Sequence, residues 1–330
     1  MARPPRIDRV DGLYHVTARG NGRARVFFSD ADRERFLGQL ADNLETYGCV
    51  LHAYVLMDNH FHLLVRTPQA NLSRFMQRLM TSYAMYARYK HKRPGHQFQG
   101  RFKAKLVESD RYLRQVSRYI HLNPVRLKAC ARWPRARRLK HLGGYRWSSY
   151  RGYVGDAAPE DFVSRRAILR QFAPGIDAAR AEYRRYVEAC VARTDEQTVE
   201  MMGGNPYAIG SPEFGGRIGE ELSGRRSGGE KDKDVNLPRR RVTLEAVDAR
   251  VAAHYGIGVA QLKRHGRATG EAKAVAVELA CRLTGERQRA VGQWYGAIGS
   301  SGVAKIRARL RAEEAQRLRE TIGRIAQEFI

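Results

Sequence analysis

The order of apolar and polar positions predicts alternating strands and helices in the first part of the chain. The segment "LYHVTARG" (13–20) alternates apolar and polar side chains and runs into glycines, as a strand followed by a turn does. Residues 29–48 then place apolar side chains at helical spacing between a capping residue, Ser29 or Asp30, and a glycine. This pattern predicts a strand and then a helix.

The next segment predicts a β-hairpin. Two apolar runs, "CVLHAYVLM" and "HFHLLVRT", are joined by Asp58-Asn59, which is a common hairpin turn. In the second run His60 and His62 are two residues apart, so they point to one face of the strand while Phe61 points to the other.

Two further helices and a strand complete the pattern. Residues 71–92 and 109–126 read as helices, the latter capped at Ser109 or Asp110 and ending near Pro124, and "GRFKAKLVE" between them reads as a strand. The order strand, helix, strand, strand, helix, strand, helix is the split βαβ, ferredoxin-like arrangement with one added helix. We therefore expect an α+β domain whose antiparallel sheet carries the histidine pair on a central strand, with helices on the opposite face.

The rest of the chain predicts three further parts. Residues 1–155 hold the ferredoxin-like domain, and residues 156–215 read as a helical extension. Residues 216–237 are glycine-rich and charged with little to pack, which indicates a flexible linker. Residues 238–330 carry several apolar-periodic segments and predict a separate all-α domain.

Composition points to a nucleic acid as the partner. The chain has 60 Lys and Arg against 34 Asp and Glu, a net charge of +26, which favours binding to a polyanion. The four cysteines form no C-x-x-C pair, so neither a zinc knuckle nor a disulfide framework is indicated. No apolar run approaches the ~20 residues that span a bilayer, and the first residues lack the apolar core of a signal peptide. We expect a cytoplasmic, nucleoid-associated protein without a membrane partner.

Four side chains together suggest chemistry on DNA. Tyr119 and Asn123 are four residues apart on one predicted helix, hence on one helical face. Neutral imidazoles from His60 and His62 with an amide oxygen can hold Mg²⁺ or Mn²⁺ and leave positions open for a phosphate oxygen. Attack by a tyrosine gives a covalent phosphotyrosine that conserves the bond energy, which suits cutting and rejoining a strand.

The sequence leaves other interpretations open for these residues. His60 and His62 could be solvated residues of the sheet, and Tyr119 could pack beneath it. Tyr112 competes for the role of nucleophile, although it lacks an asparagine four residues later.

Two neighbours on the same helix have alternatives of their own. His121 lies two residues from the tyrosine and therefore off its helical face, which favours a residue of the helix end over a metal ligand. Asn123 precedes a proline and could shape the helix terminus instead of binding metal.

Several of these segments resemble a known family. The stretches "YVLMDNHFHLLV", "GRFKAKLVE", "YLRQVSRYIHLNPVR" and "WSSYRGYVG" together resemble the IS200-like tyrosine transposases, in particular the REP-associated branch, which acts on repetitive extragenic palindromes. The resemblance implies that His60 and His62 are the ligands of an HUH metal site and that Tyr119 cleaves single-stranded DNA beside a hairpin, forming a 5′-phosphotyrosine. Classical members carry glutamine four residues after the tyrosine, where this chain has Asn123, as the REP-associated variant does.

Basic residues interleaved with aromatic residues predict a groove for single-stranded DNA. Cations can follow phosphates there while rings stack on exposed bases. The candidates in the first domain are Arg19, Arg23, Arg25, Arg101, Lys103 and Lys105.

The C-terminal domain predicts a helix-turn-helix. Residues 287–312 contain a helix, a glycine-containing turn and a basic second helix, with Ser300 and Ser301 near its start. Residues 250–285 resemble the DNA-binding domain of the bacterial chromosomal replication initiator, which reads duplex DNA. The pattern and this resemblance give as candidate contacts Lys263, Arg264 and Arg267 in a basic loop, and Lys305, Arg307 and Arg309 on the recognition helix.

These observations lead to two hypotheses. The first is a metal-dependent endonuclease and strand transferase for single-stranded DNA, acting at hairpins and tethered to a duplex-binding domain. The alternative is a non-catalytic DNA-binding regulator derived from such an enzyme. A replication initiator or plasmid relaxase is disfavoured, because a third motif histidine or a second tyrosine is not evident. The protein could be a monomer, as REP-associated relatives are, or a homodimer that exchanges the tyrosine helix.

Overall fold

The computed structural model divides the chain into two compact units, the first ending at Leu237 and the second beginning at Pro238. The structure describes residues 7–192, 196–226, 235–236, 242–264, 270–284, 286, 288–310 and 316–329.

A five-stranded sheet is the centre of the first unit. The strands of this unit are β1 Ile7–Asp8, β2 Gly12–Arg19, β3 Val50–Met57, β4 His60–Thr67, β5 Lys103–Val107, β6 Ala208–Ile209 and β7 Val235–Asn236. In the sheet the order is β3-β4-β2-β5-β6, antiparallel except for the parallel pair β5 and β6, while β1 and β7 form a separate parallel pair. The order of the first four strands is that of the ferredoxin-like fold, so the predicted fold is confirmed and β4 is an inner strand.

Helices connect these strands and continue beyond them. The α-helices of the first unit are α1 Asp30–Tyr47, α2 Leu72–His91, α3 Ser109–Leu122, α4 Arg135–Gly144, α5 Tyr150–Val154, α6 Arg166–Leu169, α7 Ile176–Glu188, α8 Glu196–Gly203 and α9 Pro212–Arg226. Helix α3 begins at Ser109 with Glu108 as its N-cap position, one residue before the predicted cap.

The start of α1 follows directly from its sequence. The Asp32 carboxylate accepts hydrogen bonds from the backbone N–H of Phe28 and of Ser29, and the Ser29 hydroxyl accepts one from the backbone N–H of Asp32 at 3.3 Å. This reciprocal pair is a capping box, which satisfies donors that a helix start leaves unpaired. The helix ends before Gly48, whose positive φ of 61° suits glycine.

The two faces of the sheet carry different helices. On one face Phe61 packs against Phe36 of α1, and Phe36 packs against Tyr83 of α2, with ring centroids 4.8 and 5.2 Å apart. On the other face α3 brings Tyr119 against the ring of His62. Helices therefore cover the face opposite the histidine pair, as predicted, and one more helix lies across the histidine face itself.

Two parts of the first unit differ from the sequence prediction. The linker expected at residues 216–237 is wrong for residues 216–226, which belong to α9. Phe214, Ile218 and Leu222 form a buried stripe there, spaced four residues apart, and this stripe is easily overlooked among the glycines. The sequence pattern also does not predict the strands β1, β6 and β7, the last of which lies within the expected linker, because two residues carry no periodicity.

The second unit is a helical array. Its helices are α10 Leu244–Tyr255, α11 Val259–Leu262, α12 Gly270–Leu283, α13 Gln288–Trp294, α14 Ser300–Leu310 and α15 Gln316–Gln327. Apolar residues of α12, which include Val275, Ala276 and Leu279, lie at the centre of its core. The predicted helix-turn-helix corresponds to α13 and α14, and the turn between them contains positive φ angles at Gly296 and Ala297.

Candidate active site

The candidate site lies on the face of the sheet that α3 crosses. Strand alternation places His60 and His62 side by side, with ring centroids 5.1 Å apart. Helix α3 brings the Tyr119 ring to 5.8 Å from the ring of His62, and Asn123 follows one helical turn later. The four side chains that the sequence grouped therefore meet in one place.

A cavity of about 480 Å³ joins these four side chains. Its lining residues come from the sheet, from α3 and from the segment before β5, and they are Thr17, Ala18, Arg19, His60, His62, Gln99, Arg101, Lys103, Tyr119 and Asn123. Tyr112, the competing tyrosine, is not among them, so the geometry favours Tyr119.

Both imidazoles of the pair are neutral. Burial lowers the pKa of His60 to about 4, and the nearby Arg19 guanidinium acts in the same direction. Burial also holds the pKa of His62 well below its usual value, followed by the influence of His15, His60 and Arg19. A neutral imidazole offers a lone pair to a metal ion, so these shifts suit a pair of ligands.

In each histidine the Nδ1 atom already lies within hydrogen-bonding distance of a neighbouring side chain. His60 Nδ1 lies 2.7 Å from Asn59 Oδ1, and His62 Nδ1 lies 2.9 Å from His15 Nε2. The Nε2 atoms are therefore the nitrogens left for a ligand in the cavity. Histidines that bind metals usually donate their other ring N–H to a neighbouring acceptor in this way.

The donor set fits a divalent ion that accepts nitrogen and amide oxygen. Among the described residues no group of three or more His, Cys, Asp or Glu side chains is arranged to hold a metal ion. Two imidazoles and one amide would thus leave several positions to water or to a phosphate oxygen. Mn²⁺ tolerates imidazole with oxygen ligands, and Mg²⁺ prefers oxygen.

Asn123 has a structural role in addition to its place in the cavity. Its Nδ2 donates to the carbonyl oxygens of Tyr119 and Ile120, at 2.8 and 3.3 Å. These bonds show that Asn123 takes part in the helix terminus, and they do not exclude a second role as a ligand. Because the amide nitrogen is engaged, Oδ1 is the atom left to face a ligand.

Tyr119 is partly buried beside a cation that the sequence analysis did not single out. Burial raises the pKa of its phenol, and the guanidinium of Arg126, 5.6 Å from the ring centroid, opposes that increase. Arg126 belongs to the same "YIHLNPVR" stretch, but only the 3₁₀ turn Asn123–Val125 after α3 brings it back over the tyrosine.

His121 lies in the last turn of α3, as expected of a helix-end residue, and there it is an anchor in the core. It is fully buried, and its two ring nitrogens contact Tyr183 Oη at 2.7 Å and Ser149 Oγ at 2.8 Å. These contacts fix α3 against the helical extension and so hold the tyrosine in position.

Most of the predicted DNA contacts of the first unit are exposed, and one prediction is corrected. Arg19, Arg23, Arg25, Arg101 and Lys103 are exposed. Lys105 is half-buried instead, and its Nζ donates to the carbonyl oxygens of Met202 and Asn205 at 2.6 Å each. That amine holds the helical extension on β5, so it does not serve as a DNA contact.

A second, larger groove of about 1250 Å³ begins beside the cavity and shares Arg101 and Lys103 with it. Arg25, Arg88 and Arg93 also line this groove, and so do the aromatic residues Phe98, Phe102 and Tyr207. Arg88 and Arg93 were missed by the sequence analysis, because α2 and the segment after it approach β5 only in the folded chain.

The predicted contacts of the second unit divide into exposed and buried residues. Ser300, Ser301, Lys305, Arg309 and Arg264 are exposed. Arg267 lies outside the described residues.

Two of the predicted basic contacts are engaged within the second unit. Arg307 is 6% exposed and pairs with Glu278 of α12, its Nε at 2.7 Å from a carboxylate oxygen, so its prediction as a DNA contact is wrong. Val303, Arg307 and Leu310 form the buried stripe of α14, a spacing that the sequence contained. Lys263 is half-buried, with Nζ 3.7 Å from the Trp294 ring centroid and 3.5 Å from a carboxylate oxygen of Asp248.

None of the helices in the described part of the chain is long and apolar enough to cross a membrane.

Comparison with known proteins agrees with the sequence resemblance. Residues 9–123 match the family described as transposase IS200 like. Among solved structures, that of a REP-associated tyrosine transposase bound to a REP hairpin is 15% identical and covers 50% of this chain and 100% of its own, with a TM-score of 0.39. No match was found among curated proteins.

The matched segment contains β2, β4 and α3, and with them the two histidines, Tyr119 and Asn123. Over residues 9–123 the chain is therefore similar to the IS200-like transposase family.

Proposed function

We propose that the chain is a REP-associated type of transposase that cleaves and rejoins single-stranded DNA beside hairpins, using Tyr119 as nucleophile and a divalent ion held by His60, His62 and Asn123. The observation that carries this proposal is the shared cavity, in which a phenol, an amide oxygen and two neutral imidazoles with available Nε2 atoms meet.

The proposed reaction is a transesterification. The Tyr119 oxygen attacks the phosphorus of a phosphodiester, the bond between phosphorus and the 3′ oxygen breaks, and the 5′ phosphate remains on the tyrosine. The phenol proton leaves as the new bond forms, and the departing 3′ oxygen takes up a proton. A bound divalent ion supplies charge withdrawal from the phosphate and support for the leaving oxygen. A 3′ hydroxyl can later reverse the step and join a strand.

The residues of the cavity favour this reaction over hydrolysis by water. None of the ten described lining residues is an aspartate or a glutamate. A carboxylate base that could activate a water is thus not among them. The Arg126 guanidinium favours the ionised phenol, which assists attack by the tyrosine itself.

We further propose that a single strand of DNA runs from the cavity into the larger groove. Arg101 and Lys103 border both, so phosphates could follow one continuous basic surface, while the half-exposed Tyr207 offers a ring to exposed bases. Tyr119 contacts His62 of the same chain, which supports an active site formed within one monomer.

The second unit is proposed to bind duplex DNA through α14. Its exposed Ser300 and Ser301 lie at the helix start, Lys305 lies more than one turn later and Arg309 lies in the last turn, so these side chains could contact bases and phosphates along the helix.

The deciding experiment is incubation of the full chain with single-stranded hairpin oligonucleotides and Mn²⁺, followed by a denaturing gel. We expect a covalent protein-DNA adduct that Tyr119→Phe abolishes and that Tyr112→Phe, the matched control on the same helix, retains. Tight hairpin binding without any adduct would overturn the catalytic proposal and favour the non-catalytic regulator.

A further inference from the structure

His15 is a buried histidine of β2 that contacts the candidate metal site from behind. It is 5% exposed, and its ring stacks on that of His62 with centroids 5.1 Å apart and planes 9° from parallel. The His15 Nε2 atom lies 2.9 Å from His62 Nδ1. His15 does not line the cavity, but its ring meets the edge of the Tyr119 ring as well, with centroids 5.8 Å apart, so it supports the site at His62 and at Tyr119.

The hydrogen bond between the two rings restricts where the hydrogens can be. A hydrogen bond between two imidazoles requires an N–H on one ring and a lone pair on the other. If His15 donates, then the hydrogen of neutral His62 lies on Nε2, and that nitrogen cannot bind a cation. If His62 donates from Nδ1, its Nε2 carries the lone pair and can do so.

The neighbouring His60 also has a hydrogen bond at Nδ1, and in this case the donor can be identified. Asn59 Nδ2 donates to the carbonyl oxygen of Arg23 at 3.2 Å, which turns Asn59 Oδ1 toward His60 Nδ1 at 2.7 Å. An amide oxygen only accepts, so His60 Nδ1 carries the hydrogen and Nε2 carries the lone pair. The two candidate ligands therefore have different hydrogen-bond partners at Nδ1: an amide oxygen of Asn59 for His60 and an imidazole of His15 for His62.

We propose that His15 is a positioning residue that accepts a hydrogen bond from His62 Nδ1 and thereby presents the Nε2 lone pair of His62 to the divalent ion. This inference rests on the metal site of the proposed function. A histidine in this place brings no negative charge, unlike the carboxylate that often supports a metal-binding histidine. It fixes the tautomer and orientation of His62 without adding charge to the site.

The hydrogen positions can be measured on the metal-free protein by NMR of ¹⁵N-labelled histidines at neutral pH. We expect His62 in the wild-type protein to carry its hydrogen on Nδ1. His15→Gln should preserve that tautomer, because a glutamine Oε1 can accept in place of Nε2. His15→Leu, similar in volume but without an acceptor, should give a mixture of tautomers.

Metal affinity provides the second measurement, by titration calorimetry with Mn²⁺. His15→Leu should weaken binding by about 10- to 100-fold, the usual effect of losing such a supporting residue, and His15→Gln should recover most of it. His52→Gln is the matched control, since His52 is a similarly buried histidine of β3 that lies outside the cavity, and we expect its Mn²⁺ affinity to equal that of the wild type.

Two results would overturn the inference: a wild-type His62 with its hydrogen on Nε2, or a folded His15→Leu variant that binds Mn²⁺ as tightly as the wild type. If His15→Leu does not fold, the tautomer in the wild type and in His15→Gln still decides. Absence of Mn²⁺ binding in the wild type, with the hydrogen on Nδ1, would instead refute the metal site of the proposed function and leave the hydrogen-bond direction established.

Discussion

At the scale of single residues, the environment of Tyr119 combines two opposing electrostatic influences. Burial disfavours the ionised phenol, whereas the Arg126 guanidinium over its ring favours it. A nucleophile that must lose its proton during attack becomes slower when its pKa rises further above the working pH. Arg126 therefore acts on the rate through the charge of the phenol.

Replacing Arg126 by methionine should shift the pH dependence of cleavage. Loss of the cation raises the pKa of Tyr119, so the rising part of the rate profile moves to higher pH, and one pKa unit corresponds to about a tenfold loss of rate near neutrality. Single-turnover cleavage of a hairpin oligonucleotide between about pH 6.5 and 9.5 measures this. Arg126→Lys, which keeps the charge, should remain closer to the wild type. An equal loss at every pH would show that Arg126 acts only on DNA binding.

At the scale of elements, the helix-turn-helix depends on close contact between α13 and the turn that follows it. Ile298 N–H donates to the Gly292 carbonyl oxygen at 2.8 Å. A Cβ atom on Gly292 would lie 1.9 Å from the Ile298 carbonyl oxygen, so a larger side chain must push the turn away. The orientation of α14 therefore depends on the absence of a side chain at residue 292.

Gly292→Ala should destabilise the second unit by roughly 1–3 kcal/mol, the usual cost of forcing extra atoms into a packed contact. Urea unfolding of the full chain measures the change, and hydrogen exchange of residues 288–310 locates it. Gly323→Ala is the matched control, because Gly323 lies inside α15, where an added Cβ atom would meet no neighbouring atom within 4 Å. That variant should be stabilised by about 0.5–1 kcal/mol through helix propensity. Equal stability of the two variants would contradict the role given to Gly292.

At the scale of the whole molecule, the net charge of +26 is divided between cations that can meet DNA and cations engaged inside the protein. Arg101 and Lys103 are exposed beside the cavity, whereas Lys105 and Arg307 are held by carbonyl oxygens and by Glu278. The affinity for DNA should therefore depend on which basic side chains are exposed, and not on the total charge of the chain.

The double variant Lys305→Gln and Arg309→Gln tests this for the second unit. If each residue contacts one phosphate, the slope of log K against log salt for duplex DNA should fall in magnitude by about 2. Fluorescence anisotropy with a labelled duplex at several salt concentrations gives the slope. Arg317→Gln with Arg324→Gln removes the same charge from exposed positions on α15 and should change the slope much less. Equal effects of the two pairs would show that α14 is not the contact surface.

The sequence by itself determined the alternation of the first seven predicted elements and the sharing of one face by His60 and His62. It also determined the placement of Tyr119 one turn before Asn123 and the helix-turn-helix at α13 and α14. These features follow from local periodicity and turn chemistry, which a single stretch of chain contains. They are reliable here because each strand or helix is long enough to show its period.

Only the tertiary structure decided which residues of distant segments meet. The approach of His15 to His62 requires the register of β2 on β4, and the pairing of Lys105 with the carbonyl oxygens of Met202 and Asn205 requires the contact between β5 and the chain that leads into β6. Arg307 is another example, because its charge predicts an exposed side chain. It lies on the buried stripe of α14 instead, where it pairs with Glu278 of α12. Contacts between distant segments are set by packing of the whole core, and no local pattern encodes them.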